Sequence, residues 1–322
     1  MTSEPAVSSS IETMRGELAL GGLSTSTLTF IVWIDEAGRR DWVLERARML
    51  AEKYPSFLMI FDRTGAESGE PRVSCGGSRN CVSIDASALD ADGVDQYVSA
   101  FCRDAVSTVL WWSGAHVDAG EILNALLARA HTLLVDSSGS VTDDTAVCSL
   151  AAFAPRHPEI AIRDLAWLRL TPWQDMIARF FDDPRLLSEL YTMRALHITS
   201  GSEAEALYLG AWLASRLGWT ASGRSAFTAR DGKEIAFTHE IAGQTRRVHS
   251  VCLDTDGSWY HGEVTDDPAV VAVWVEGEYG RERRLVPLQA IDNASLLERA
   301  ILEPGADEVF VTALSWIATL VG

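Results

Sequence analysis

Hydrophobic and polar positions follow two different rhythms along the 322 residues of this chain. In the first half, short apolar runs are separated by amphipathic stretches of helical period. Residues 27–34 (TLTFIVWI), 56–61 (SFLMIF), 82–84, 108–112 (TVLWW) and 132–136 (TLLVD) read as strands. Between them, residues 41–52, with Val43, Leu44, Ala47 and Leu50 on one side, and residues 94–106 and 121–130 read as helices. Strands apolar at every position are buried on both faces, and helices between them are the crossovers of a parallel sheet. The first half is therefore expected to be Rossmann-like.

The second half reads differently. Residues 164–181 and 203–217 have helical period around a strand at 194–199, and residues 234–288 then run strand after strand: EIAFTHEI, TRRVHSVCL, SWYHGEV, AVVAVWVEG and RERRLVPL. Turn signals at Ala242-Gly243, Asp256-Gly257, Asp266-Asp267-Pro268 and Glu278-Tyr279-Gly280 make this an antiparallel meander. Helices at 293–301 and 307–320 close the chain. In Thr171-Pro172-Trp173-Gln174 and Ser202-Glu203-Ala204-Glu205, Thr171 and Ser202 are the expected helix caps, and Gly218 is the stop of the second helix.

The fold class expected is α/β, a Rossmann-like parallel α/β domain followed by an α+β domain with an antiparallel sheet. Residues 1–26, rich in Ser, Thr and Gly, are expected as a flexible arm with one helical turn near 11–18. Residues 27–155 form the first domain and 156–322 the second, because Ala154-Pro155 and His157-Pro158 break any helix there.

Charge narrows the function. Forty-five acidic against 27 basic residues give −18, which disfavours nucleic acid and membrane surfaces as partners. Only Lys53 and Lys233 are lysine; every other cation is an arginine, whose rigid fork suits carboxylates and phosphates. The five cysteines are odd in number and lack a repeated spacing, and the start MTSEPAVSSS has no leader pattern, so a reduced, cytoplasmic protein is expected.

Catalytic signatures are missing: no G-x-x-x-x-G-K-[ST], no G-x-G-x-x-G after the first strand and no G-x-S-x-G. His239-Glu240 opens like a zinc-protease helix, but Gly243 stands where the second histidine belongs. His239, His249 and His261 lie on successive strands and could meet on one face, or simply be half-exposed. Asp254, Asp256, Asp266 and Asp267 sit at turn signals, where their own backbone bonding explains them. No metal and no cofactor is assigned. Cys75 and Cys81, in a polar loop with Arg79, could form a regulatory disulfide or stay unconnected.

Tryptophan is the stronger hint. Eleven are present against six tyrosines, and Trp and Arg anchor protein interfaces. Trp167, Arg169 and Trp173 fall within one short stretch, with Trp212 and Trp219 further on; a partner contact or an internal contact would each explain them.

That stretch carries a resemblance. Residues 164–173 (DLAWLRLTPW), with Phe180-Phe181-Asp182 following and residues 207–219 (LYLGAWLASRLGW), resemble the OpcA family of glucose-6-phosphate dehydrogenase assembly proteins of cyanobacteria and actinobacteria. Val135-Asp136-Ser137-Ser138 and the last helix fit the same layout. The resemblance implies a protein that is not itself an enzyme but binds glucose-6-phosphate dehydrogenase, promotes its active oligomer and raises its activity. It supplies no catalytic residues, and the redox cysteines of cyanobacterial members do not match Cys75 and Cys81. Partner-binding residues on this reading are Trp167, Arg169, Trp173, Trp212 and Trp219. The alternative is a sugar-phosphate-binding protein or isomerase-like enzyme, with its ligand at Ser113, Gly114, Asp136, Ser137 and Ser138 beside helix N-termini.

Overall fold

A computed structural model describes residues 4–21, 26–65, 72–75, 78–103, 105–114, 116–117, 120–139, 143–223, 225–242, 245–277, 280–289, 291–303 and 305–321. They divide into two compact units. The first comprises residues 1–136, 156–163 and 297–306, and the second residues 137–155, 164–296 and 307–322. This differs from a single boundary at residue 155, because the backbone after that point returns to the first sheet: Ala161 N donates to His131 O at 3.0 Å.

In the first unit, α1 (Glu4–Gly21), β1 (Leu28–Ile34), α2 (Arg40–Lys53), β2 (Ser56–Asp62), β3 (Arg72–Cys75), β4 (Ser78–Asp85), α3 (Ala91–Phe101), β5 (Ser107–Ser113), α4 (Glu121–Leu127) and β6 (Thr132–Val135) follow one another. With β7 (Ala161–Asp164) the strands make a seven-stranded sheet in the order β3-β4-β2-β1-β5-β6-β7. The pairs linking β4, β2, β1, β5 and β6 are parallel, and β3 runs antiparallel to β4.

Register separates the two faces of this sheet. Ile31, Trp33, Met59, Phe61, Leu110 and Trp112 share one face, where Tyr97 of α3 meets Phe61 edge-on at 6.3 Å. Phe30, Val32 and Trp111 share the opposite face, where Trp42 of α2 meets Trp111 at 5.7 Å. Both faces are thus buried, as the uninterrupted apolar strands require.

The flexible arm is corrected. Residues 4–21 form α1, and Val7, Ile11, Met14 and Leu18 are buried. Their spacing of three and four makes one narrow apolar strip on an otherwise Ser/Thr-rich helix. Arg15 Nη2 holds the helix to Ala100 O at 2.8 Å.

The second unit contains α5 (Asp143–Phe153), α6 (Leu165–Arg169), α7 (Thr171–Phe180), α8 (Pro184–Leu190), β8 (Met193–Ser200) and α9 (Glu203–Leu217). Strands β9 (Thr220–Ala221), β10 (Ala226–Thr228), β11 (Glu234–Ile241), β12 (Val248–Thr255), β13 (Ser258–Val264), β14 (Val270–Gly277) and β15 (Gly280–Pro287) come next. Then α10 (Asn293–Leu302) crosses the division, and α11 (Glu308–Val321) ends the chain.

The sheet order is β15-β14-β13-β12-β8-β11-β10-β9. The meander holds from β12 to β15, but β8 inserts between β11 and β12 and pairs with β11 in parallel. Leu196, Ile198, Phe237, Val251, Leu253 and Tyr260 are buried on the face that the helices cover.

The helix expected over 164–181 is two helices. Asp164 caps α6, accepting from Ala166 N at 2.8 Å. Thr171 is not a cap: Leu170 takes that place in α7, and Thr171 Oγ1 donates back to Leu168 O. Ser202 does cap α9, accepting from Glu205 N, and Gly218 ends it in the left-handed conformation at φ 66°, which a side chain would disfavour.

Candidate interaction surface

The 164–173 motif builds a buried polar knot. Asp164, fully buried, accepts from Ser137 N at 3.1 Å, Ala166 N at 2.8 Å, Tyr208 Oη at 2.7 Å and Ser137 Oγ. Burial, and then the Asp164 charge, push the Tyr208 hydroxyl well above its usual range, so the phenol stays a donor. Arg169 Nη1 donates to Ser138 Oγ at 2.8 Å and lies 3.8 Å from Glu205. Glu205, also buried, accepts from Arg247 Nη1 and from Val248 N, both at 3.1 Å. This network ties α6, α9 and the start of β12 together.

The tryptophans assigned to a partner lie mostly in the same core. Trp167 donates to Asp307 at 3.0 Å and packs on Tyr208 and Phe310; Trp173 and Trp219 are also buried, and Trp212 is half-buried. Their contacts are internal to the second unit, and that corrects Trp167, Arg169, Trp173 and Trp219 as surface anchors. Large rings at helical spacing are what a helix needs to cover a sheet.

Interface chemistry is exposed elsewhere, on the face of the eight-stranded sheet opposite the helices. Register aligns a row across six strands: Thr238, His197, Cys252, His261, Trp274 and Arg283. His261 stacks on Trp274 at 4.6 Å, the Arg283 guanidinium lies 5.7 Å from the Trp274 ring, and His197 Nδ1 pairs with Thr238 Oγ1. Trp259, two residues before His261 and 6.2 Å from its ring, is 49% exposed, and Leu285, two residues after Arg283, is 69% exposed. The signal was in the sequence: in SWYHGEV, Trp259 shares strand parity with His261 and Glu263, whereas Tyr260 and Gly262 point to the core.

The three histidines do not converge. His239 lies 3.3 Å from Glu203 and His249 Nε2 lies 3.4 Å from Thr245 Oγ1, whereas His261 is held by Trp274. The strand β8, between β11 and β12, separates His239 from the other two.

Of the alternative ligand residues, Asp136, Ser137 and Ser138 are engaged internally, whereas the buried Ser113 Oγ has no hydrogen-bond partner among the described residues. Asp136 pairs with Arg39 at 2.9 Å and Ser113 is buried. Gly114 is closely approached, since a Cβ there would lie 2.8 Å from Trp112 Nε1. Ser137 and Ser138 are bonded to Asp164 and Arg169. In a dinucleotide-binding βαβ unit a glycine-rich turn admits the pyrophosphate, and an acid about 20 residues on holds the ribose. Here the first turn is Asp35-Glu36-Ala37-Gly38-Arg39-Arg40, and buried Asp62 accepts from Arg40 Nε at 2.5 Å and from Thr64 N and Oγ1.

Cys81, on β4, is disulfide-bonded, while Cys102, Cys148 and Cys252 are half-buried and form no disulfide. The expectation at Cys75 and Arg79 concerns side chains outside the described ones. Among the described residues, no helix is long and apolar enough to cross a membrane.

Comparison with known proteins bears on the second unit above all. Residues 160–314 match the family of C-terminal domains of the glucose-6-phosphate dehydrogenase subunit. An OpcA protein of Synechocystis sp. is 38% identical over 114 residues, 34% of this chain and 23% of that protein. One from Synechococcus elongatus is 26% identical over 140 residues, 43% of this chain and 31% of that protein. The chain therefore spans less than a third of the length of these curated relatives.

Among solved structures, UDP-N-acetylglucosamine 3-dehydrogenase GnnA from Acidithiobacillus ferrooxidans is 12% identical, with a TM-score of 0.50, covering 92% of this chain and 96% of that one. Levoglucosan dehydrogenase in complex with NADH is 9% identical with the same TM-score and the same coverage. Both share the fold. The motif at 164–173 and the sheet beyond it lie inside the matched segment, so residues 160–314 are similar to the C-terminal domain of the glucose-6-phosphate dehydrogenase subunit.

Proposed function

We propose that this chain is a non-catalytic protein that binds glucose-6-phosphate dehydrogenase in the cytoplasm and promotes its active oligomer. The observation that carries the reading is the coincidence of the family segment with the exposed Trp259–His261–Trp274–Arg283 surface. Aromatic and arginine side chains on a preformed sheet are the anchors a stable protein contact uses. Internal pairing of Asp62 with Arg40 and of Asp136 with Arg39 supports a structural rather than a ligand-binding use of the strand ends.

Activation then follows from differential affinity. A protein that binds the active form of the dehydrogenase more tightly shifts the enzyme toward that form, by no more than the ratio of its two affinities. The test is to mix the purified chain with its cognate dehydrogenase and follow co-elution and the KM for glucose 6-phosphate. Co-elution with a lowered KM supports the reading; separate elution with an unchanged KM ends it.

A further inference from the structure

At one end of the eight-stranded sheet, the turn joining β12 to β13 at Asp256 and Gly257 lies beside the end of β14 at Gly277. Register pairs Ser258 directly with Gly277, where a Cβ would stand 2.6 Å from Ser258 Oγ and 2.7 Å from Gly257 O. Only glycine allows that approach. Here the chain leaves an open recess of about 310 Å3, lined by Arg194, Asp256, Ser258, Trp259 and Glu276. Its size falls at the lower end of the roughly 300–1,000 Å3 of small-molecule sites.

The recess offers unspent hydrogen-bonding capacity more than unspent charge. Arg194 Nη2 donates to Asp254 Oδ1 and Thr255 O, both at 2.9 Å, which leaves Nη1 without a partner among the described residues. Asp256 lies 3.6 Å from Arg194 Nε and 3.9 Å from Lys233 Nζ, so its charge is compensated while its oxygens accept no hydrogen bond among the described residues. Ser258 is 2% exposed, and its Oγ has no partner in the floor of the recess. Glu276 is already engaged, by Trp274 Nε1 at 3.0 Å. A carboxylate has about four lone-pair sites and a guanidinium five N–H groups, so pairing their charges exhausts neither.

Trp259, 49% exposed, supplies the apolar side. The negative face of an indole attracts C–H groups that carry partial positive charge. A pyranose ring presents such a face, rimmed by hydroxyls that both donate and accept. An anionic ligand would meet Asp256 and Glu276, and a purely apolar one would leave the polar groups unsatisfied.

We propose that this recess binds a neutral pyranose sugar, with its C–H face on Trp259 and its hydroxyls on Asp256, Arg194 and, after rotation about one bond, Ser258. Trp259 also belongs to the surface assigned to the dehydrogenase, so the two occupants exclude each other. Sugar binding does not rest on that assignment, and its test uses the chain alone.

The probe is methyl β-glucopyranoside, whose ring substituents are all equatorial and leave both faces as C–H faces. It is titrated into the full chain and followed through the indole N–H resonance of Trp259. Glucose 6-phosphate, which adds charge, and cyclohexanol, which keeps a single hydroxyl, are the matched ligands. The expected result is saturable one-to-one binding of the glucoside that shifts Trp259.

Trp259→Ala should abolish binding, and Asp256→Asn, which keeps an Asn-Gly turn, should weaken it about fivefold. Ser258→Ala should also weaken it about fivefold while leaving urea stability unchanged, since the hydroxyl has no partner to lose. A merely structural hydroxyl would move stability and not binding. Should Trp259→Ala misfold, the other two variants still decide. No saturable binding, glucose 6-phosphate or cyclohexanol binding as tightly as the glucoside, or unaltered binding in both Asp256→Asn and Ser258→Ala would overturn the proposal.

Discussion

His261 lies flat on Trp274, with ring centroids 4.6 Å apart and planes 9° from parallel. The two are direct partners on β13 and β14, and Arg283, opposite Trp274 on β15, extends the stack. Rings fixed this way lose little conformational freedom when a partner covers them, so more of the contact energy appears as affinity. Trp259 and Arg283 are the exposed members of the group, and His261 and Trp274 are half-buried. Trp259→Ala should weaken the complex with the dehydrogenase by about thirtyfold, the scale of an interface hot spot. Its melting temperature should stay within about two degrees of the parent, since surface substitutions cost little stability. Titration calorimetry and thermal melting check both halves, and an affinity loss below about threefold would remove Trp259 as an anchor.

Asp164 makes the opposite kind of contribution, to stability and not to binding. It is fully buried and collects two backbone and two hydroxyl donors. Asp164→Ala strands the hydroxyls of Tyr208 and Ser137 in a dry site and removes the cap of α6. The expected loss is about 3–5 kcal/mol, from unsatisfied buried donors and the lost cap together. Asp164→Asn, which keeps an acceptor, should lose less. Urea denaturation measures both, and near-equal stability of Asp164→Ala and the parent would contradict the role assigned to the knot.

These two sites were unequally legible in the sequence. The parallel strands β1, β2 and β5 are continuous apolar runs, and burial on both faces is the one environment that permits them, so their bounds were readable to within a residue or so. The knot showed as a motif, but a sequence does not say that Asp164 meets Tyr208, 44 residues away. Helix α1 was hidden because its apolar strip is one side chain wide among serines and threonines. The insertion of β8 between β11 and β12 is a non-local choice of partner that no local period encodes. Tryptophan content pointed to an interface, yet Trp167 and Trp173 are needed by the core. Strand parity, which separates Trp259 from Tyr260, was the signal that distinguishes an exposed ring from a buried one.

Cys252 sits in the open row between His197 and His261, and its thiol should be inert. Burial, then the charges of Asp254 and Glu276, push it from an ordinary 9.0 up to about 11. At pH 8 about one thiol in a thousand is ionised, so alkylation is slow. The same shift sets a direction for stability. Below pH 9 the thiol is protonated in both folded and unfolded chains. Between pH 9 and about 11 the unfolded chain gives up its proton while the folded one keeps it, so this contribution to stability falls as pH rises through that window. Iodoacetamide labelling of Cys252, followed by mass spectrometry from pH 7 to 11, should show a rate midpoint near 11. A midpoint near 9 would mean that neither burial nor the two acids raise the thiol.

Arg40 and Asp62 give the sharpest test of how the strand ends are used. Asp62 has a side chain only 1% exposed, and Arg40 Nε lies 2.5 Å from its Oδ2. The arginine stands on the first turn of α2, so the helix following β1 neutralises the acid that ends β2. Arg40→Ala leaves a buried carboxylate without its cation and should cost about 3 kcal/mol, because breaking one side of a buried pair exposes the desolvation cost of the other. Replacing both, as Arg40→Met with Asp62→Leu, removes both charges and should recover most of that loss. Arg40→Met and Asp62→Leu, made singly and together, form a cycle whose coupling is read from urea denaturation. Strong coupling identifies the pair as internal architecture. Additive losses would instead mean that Asp62 is satisfied by Thr64 alone and that Arg40 is available to a ligand at the strand ends.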